Sequence, residues 1–287
     1  MKAIVTHNLD KTYGGGVRAV RDLTLEIEKG TIFGFLGPNG SGKTTTVRLL
    51  NGTLTPTGGS AEILGLPPGA ETVRLRTSTL AELARMYDHL TVVDNLCFFA
   101  ELYGMTRSAA NGKIQALLAT LELREKGAEK LGSLSTGMQK RVALARVLLS
   151  DPEVAFLDEP TSGLDPESSL QVTELIRSLA RERGTTVFLC THNLPQAERI
   201  CDAFGFLHEG RLVAAGTREE LVRGVEEATR VKVTTIEGTH EQVIRREEEI
   251  NGIVRAIMET GERIREVRVV APDLEALYFH YLGRAAR

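Results

Sequence analysis

The chain has almost no cysteine. Cys97, Cys190 and Cys201 lie far apart and are odd in number, a pattern that fits neither a disulfide framework nor a zinc cluster and makes a reducing cytosol the expected home. It has no excess of positive charge either: 35 Lys and Arg stand against 38 Asp and Glu, giving a net charge of -3. With the basic residues scattered, the electrostatic footprint of a nucleic-acid binder is missing. No stretch approaches the ~18 apolar residues that a bilayer-crossing helix needs, and the opening MKAIVTHNLDKTYGG lacks the apolar centre of a signal peptide. Any membrane contact is therefore expected only through a partner. Tandem repeats and low-complexity segments are also missing. What is present, 42% hydrophobic and 25% charged residues over a length of 287, is an ordinary globular composition, long enough for one large domain and a smaller one.

Apolar patterning outlines a layered α/β arrangement. Ala3–Val5, Leu23–Ile27 and Thr31–Leu36 read as strands, and Thr44–Leu50 as a helix. Thr91 with Asp94 three residues on resembles a capping box that opens a helix running to Tyr103, with Gly104 as its C-cap. Helical spacing follows over Ala109–Leu121 and Met138–Leu149, a buried-strand run over Val154–Leu157, an amphipathic helix over Ser168–Arg183 and a further strand over Thr185–Leu189. Such alternation favours a mainly parallel sheet. The pattern changes after Gly216. A strand (Val231–Ile236), a charged helix (about Glu241–Thr260), a strand (Val267–Val270) and a helix (Leu274–Leu282) are expected to form a small α+β domain over 221–287, appended to a domain over 1–220.

Two segments carry chemistry. Gly37-Pro-Asn-Gly-Ser-Gly-Lys-Thr44 follows a strand and precedes a helix, the setting of a phosphate loop. Its glycines let backbone N–H groups face phosphate, Lys43 reaches the β/γ oxygens and Thr44 offers a hydroxyl to Mg²⁺. Val-Ala-Phe-Leu-Asp158-Glu159 is an apolar strand ending in two acids. In phosphate-loop enzymes an acid at this place holds Mg²⁺ and a neighbour orients and deprotonates water. Because adjacent side chains of a strand face opposite ways, a turn at Pro160 is expected to bring both acids to one ligand.

LSTGMQKR, Leu134–Arg141, is a second phosphate-binding turn of Ser-x-Gly type at the start of a helix. Together with the phosphate loop ahead of it, the acid pair behind it and Thr-His192 after a third strand, it resembles the nucleotide-binding subunit of ATP-binding cassette (ABC) transporters, in unbroken order over about Met1–Thr217. The resemblance implies the family's fold: a mainly parallel core sheet, an antiparallel β subdomain and a helical signature subdomain. It implies ATP and Mg²⁺ as ligands, and a head-to-tail dimer in which each signature turn binds the γ-phosphate held by the other subunit. By the same resemblance Tyr13 stacks on adenine. Asn39, Gly40, Ser41, Gly42, Lys43, Thr44 and Thr45 contact phosphate and magnesium, and Ser135, Thr136 and Gly137 form the signature turn. Asp158 binds magnesium, Glu159 is the general base, Ser162-Gly-Leu-Asp165 communicates across the dimer and His192 contacts the γ-phosphate.

Two positions depart from the family pattern. The signature reads LSTGM in place of LSGGQ, and the glutamine that senses Mg²⁺ and couples to the membrane partner is matched, by spacing back from Tyr87-Asp-His-Leu-Thr91, to Glu82. A carboxylate there can still ligate magnesium or orient water. The implied function is an ATPase subunit that drives a separate membrane permease, placed on the inner face of the membrane through that permease, with a second copy as the expected dimer partner. The segment Val267–Phe279 is similar to the closing segment of exporter-type subunits for drugs, sodium or polysaccharides. Two alternatives stay open: a soluble ABC ATPase without a permease, and a regulatory subunit with weakened hydrolysis. A GTPase is disfavoured because the guanine motif Asn-Lys-x-Asp does not occur.

Overall fold

A computed structural model describes residues 1–81, 86–225, 230–244 and 248–285. Two long strands, β1 (Lys2–Thr12) and β2 (Arg18–Glu28), open the chain. Next come β3 (Ile32–Leu36), every residue of it buried, and α1 (Lys43–Leu50). β4 (Gly58–Ile63) returns to pair with β1, so β2-β1-β4 form an antiparallel sheet.

α2 (Glu71–Arg76) and β5 (Thr77–Leu80) lead to three helices: α3 (Val92–Leu102), α4 (Arg107–Thr120) and α5 (Thr136–Leu149). Their apolar stripes meet in one cluster that includes Leu96, Ile114, Leu117, Leu118, Val142 and Leu149. The Thr91 hydroxyl oxygen accepts the Asp94 N–H at 3.0 Å and caps α3, and Gly104, with φ of 74°, ends it. β6 (Val154–Asp158), α6 (Pro166–Arg183), β7 (Thr186–Thr191), α7 (Leu194–Ile200), β8 (Ala203–His208) and β9 (Arg211–Gly216) follow.

The central sheet has the order β5-β6-β7-β3-β8-β9, with the first five strands parallel. Fully buried β6, β7 and β3 place Phe156, Phe188 and Phe35 together, with Phe35 and Phe188 ring centroids 5.0 Å apart. Because the strands are parallel, the C-terminal ends of β3, β6 and β7 all open on one edge of the sheet. This is the α/β architecture that the motifs imply: a mainly parallel core, an antiparallel sheet and a helical layer.

The contacts divide the chain into compact units Met1–Leu212 and Val213–Arg287. The second begins within β9 and holds α8 (Arg218–Arg223), β10 (Arg230–Thr235), β11 (Thr239–Val243), α9 (Glu249–Glu259), β12 (Ile264–Val270) and α10 (Leu274–Ala285). A full capping box at Thr217 and Glu220 starts α8, and the Tyr281 hydroxyl donates to the Leu221 carbonyl at 2.8 Å, tying α10 to α8. Val231, Val233 and Ile244 form a small core onto which Ile250, Ile253, Ile257 and Ile264 pack. One expected element is corrected here. The helix does not begin near Glu241: Thr239–Val243 is a strand paired antiparallel with β10, and helix starts at Glu249. Thr-His-Glu-Gln-Val carries no period of its own, so the hairpin closed at Gly238, whose carbonyl accepts the Thr235 N–H at 2.8 Å, decides its state.

Candidate active site

The edge where β3 and β6 end carries a cavity of about 240 Å³ lined by Ala19, Asn39, Gly40, Gly42, Lys43, Thr44, Thr45, Asp158 and Glu159. The loop from β3 to α1 builds one wall. A Cβ at Gly42, where φ is 109°, would lie 2.3 Å from the Ala19 carbonyl oxygen, so only glycine lets the loop close so tightly on β2. Ser41 is pinned from behind, its carbonyl accepting the Gly210 N–H at 2.8 Å, while its buried hydroxyl oxygen has no hydrogen-bond partner among the described residues. Lys43 is 6% exposed; its ammonium donates to the Gly37 and Pro38 carbonyls at 2.7 and 3.2 Å and stands 3.9 Å from Glu159 Oε1. A buried cation held by carbonyls, a buried hydroxyl lacking a partner among the described residues and a glycine loop lining the cavity fit a polyphosphate.

The opposite wall holds the acids. The Thr44 hydroxyl donates to Asp158 Oδ2 at 2.8 Å, which sets two hard oxygen donors side by side, the donor chemistry that suits Mg²⁺. The expected turn at Pro160 is present, the Ser162 N–H donating to the Glu159 carbonyl at 3.2 Å, and Glu159 itself adds a left-handed backbone that turns its side chain towards the same cavity. Its φ is 48°, and its N–H donates to the Cys190 carbonyl at 2.9 Å. A left-handed non-glycine residue costs on the order of 1–2 kcal/mol, and the neighbouring strand supplies the bonds that hold it. Glu159 Oε1 accepts the His192 N–H at 3.0 Å and meets His192 Nδ1 at 2.8 Å, while Oε2 accepts the Thr191 hydroxyl at 3.1 Å. The carboxylate is thus fixed in orientation yet remains on the cavity wall.

Other expected site residues are arranged around this centre. The Tyr13 hydroxyl lies 3.3 Å from Thr45 Oγ1, which places its ring at the rim, with the Lys11 ammonium 5.7 Å from the ring centroid. Ser135 caps α5, accepting the Met138 N–H at 3.3 Å. Gly137 is packed so closely against α6 that a Cβ would lie 2.8 Å from Ser168 Oγ. Asp165 caps α6, accepting the Ser168 N–H at 3.0 Å, and that bond holds its carboxyl below the usual range. None of Ser135, Thr136 and Gly137 lines the phosphate cavity. Glu82 falls outside the described residues. Three contributors have no site role assigned from the sequence: Thr191 on Glu159, Lys140, whose ammonium donates to the Glu159 carbonyl at 2.9 Å, and Gln196, which accepts the Thr161 hydroxyl at 2.6 Å. Lys140 is part of the LSTGMQKR run, and a cation one turn into a helix that opens a phosphate site is the only signal the sequence offers for it.

A strand-to-helix glycine loop with a buried lysine, facing an acid pair on the adjoining strand ends, defines a phosphate-loop nucleoside triphosphate hydrolase. Comparison with known proteins narrows the class. Residues 20–162 match the family model described as ABC transporter. Nod factor export ATP-binding protein I of Burkholderia orbicola is 38% identical over 217 residues, covering 75% of this chain and 71% of that protein. A daunorubicin resistance ATP-binding protein of Streptomyces coeruleorubidus is 33% identical over 306 residues, covering 98% and 96%. Among solved structures, an ATP-binding subunit of an ABC transporter superposes with a TM-score of 0.71 at 29% identity, covering 77% of this chain and 92% of that one. A dimeric bacterial ABC transporter cassette superposes at 0.69 with 25% identity, covering 75% and 98%. The chain belongs to the ABC transporter family, as an ATP-binding and ATP-hydrolysing subunit.

Proposed function

We propose that this chain is the ATPase engine of an exporter, closing with a second copy around two ATP and driving a separate membrane permease. The observation that carries the reading is the separation of the two phosphate binders within one chain. The loop at Gly37–Thr44 and the acid pair share one cavity, while none of Ser135, Thr136 and Gly137 lines it and Gly137 packs against Ser168. A half-site open on the phosphate side and a signature turn with no phosphate of its own complete each other only between two molecules. Export is supported by the names of the similar proteins, which include Nod factor export, daunorubicin resistance and bacitracin transport proteins. No helix among the described residues is long and apolar enough to cross a membrane; in this reading the permease is a separate chain and the protein sits against it at the inner membrane face.

In the proposed cycle Tyr13 stacks on the base, and backbone N–H groups of Asn39–Thr45 with Lys43 hold the β and γ phosphates. Thr44 and Asp158 are the residues that would hold Mg²⁺, which when bound neutralises charge developing on the phosphate oxygens. Glu159, oriented by Thr191 and by the His192 N–H, accepts a proton from the attacking water, and the His192 ring turns from Glu159 to the γ-phosphate. Ser135, Gly137 and the start of α5 meet that phosphate from the second copy, their helix N-terminus favouring the anion. The deciding experiment is the solution mass of Glu159→Gln protein by light scattering with and without ATP. Measured below the protein concentration at which the nucleotide-free chain associates, an ATP-dependent shift from monomer to dimer is expected; bound ATP with no change of mass there would overturn the two-copy reading.

A further inference from the structure

The small sheet of the second unit, β11-β10-β12, leaves β12 as an edge whose only strand neighbour among the described residues is β10. β11, at the other edge, is a short polar strand, Thr-His-Glu-Gln-Val, that offers little to a partner. β12 differs. Val267 and Val269 stand opposite Val233 and Val231 and so share the face of the buried core. Yet they are 40% and 47% exposed where their partners are wholly buried. The core of this unit is open along that side.

The polar face of β12 is unfinished in the same direction. Glu266 faces Thr234 across the ladder and Arg268 faces Lys232, a like charge. Among the described residues their one ion pair is with each other, at 2.7 Å along the strand, with side chains 52% and 67% exposed. Charges on an edge strand usually block pairing. Here the signs alternate about a valine, and the strand is complementary to itself. In an antiparallel pairing centred on Val267, each Glu266 lies opposite an Arg268 and Val267 opposite Val267, while Arg265, at the irregularity between Ile264 and Glu266, falls beside Val269.

We propose that β12 pairs with β12 of a second copy of this chain in that register, joining two three-stranded sheets across a two-fold axis through Val267. This contact covers Val267 of each small core with its counterpart and Val269 with the alkyl stem of Arg265, satisfies two edges at once and gives Arg268 the acidic cross-strand neighbour that β10 withholds. It needs no nucleotide. It therefore stands whether or not the cassettes close around ATP.

The test is independent of the active site: light scattering and analytical ultracentrifugation of the full chain without nucleotide, on wild type, Glu266→Arg, Arg268→Glu and a 1:1 mixture of the two variants. Wild type should associate in a concentration-dependent way. Each reversal should raise the dissociation constant of the dimer about tenfold, since two attractive cross-strand pairs become two repulsive ones. The mixture should regain association, because the two arginines on β12 of the Glu266→Arg chain then face the two glutamates on β12 of the Arg268→Glu chain. ATP binding unchanged in every variant shows that the first unit is intact. A nucleotide-free chain that stays monomeric, association indifferent to both reversals, or a mixture no better than its components would each overturn the proposal.

Discussion

His192 and Glu159 are joined twice: the backbone N–H of His192 donates to Glu159 Oε1 at 3.0 Å, and its ring Nδ1 lies 2.8 Å from the same oxygen. The acid is 6% exposed, while the imidazole side chain is 57% exposed. A backbone donor that cannot leave thus holds the carboxylate, and an exposed ring is free to exchange partners.

Glu159→Gln should abolish turnover and keep nucleotide. The amide oxygen can still accept the His192 N–H and the amide N–H can donate to the Thr191 hydroxyl oxygen, so the loop keeps its shape, but the group no longer takes a proton. The expected fall in kcat is about 10²–10⁴-fold, with ATP affinity unchanged, read by single-turnover ATPase assay and equilibrium binding. Turnover near the wild-type rate would remove Glu159 from the role of base.

His192→Ala should separate the ring from the backbone. The residue 192 N–H remains on Glu159, and the exposed ring contributes little to folding, so the stability change should stay within about 0.5 kcal/mol. Turnover should nevertheless drop by about tenfold or more, consistent with loss of a group acting on the transferred phosphate. Thermal unfolding and kcat, measured on the same preparation, check both halves.

Thr44→Val keeps shape and removes the hydroxyl that lies 2.8 Å from Asp158 Oδ2. Mg²⁺ would then lose one of its two protein oxygens. ATP affinity with Mg²⁺ should weaken by about 10- to 100-fold, the scale of one charge-assisted contact, while affinity in EDTA changes little. A ratio of the two affinities equal to that of wild type would place the metal elsewhere.

Gly42→Ala should damage the loop itself. The added carbon would stand 2.3 Å from the Ala19 carbonyl oxygen at a φ of 109°, and a strained backbone of this kind costs on the order of 1–3 kcal/mol. Loss of ATP binding with a lowered Tm is expected. The same change at Gly14, which has no atom within 4 Å of the added carbon and no positive φ, should be silent and serves as the control.

Much of this site is legible in the order of residues because its chemistry is local. A phosphate loop is eight consecutive residues whose backbone N–H groups do the binding, and a strand ending in Asp158-Glu159 announces itself by a run of apolar residues that stops at two charges. The signature turn is likewise one helix start, capped by its own Ser135. Several of the elements missed have weak patterns, such as polar β4, the four-residue β5 and the strand β11 read as helix, where pairing with a neighbour outweighs propensity, but the apolar β8 is missed too.

Tertiary structure decided what depends on strands meeting. That Glu159 adds a left-handed backbone of its own to the turn at Pro160 follows from the Cys190 carbonyl on β7 being there to accept its N–H. Thr191 and His192 grip the acid because β6 and β7 lie parallel and in register, Asp158 beside Cys190. No spacing along the chain encodes that contact. The same holds for the distance between the phosphate loop and the signature turn, and for the open edge at β12. Residue order determined which groups could do the chemistry; long-range strand register determined which of them face one another.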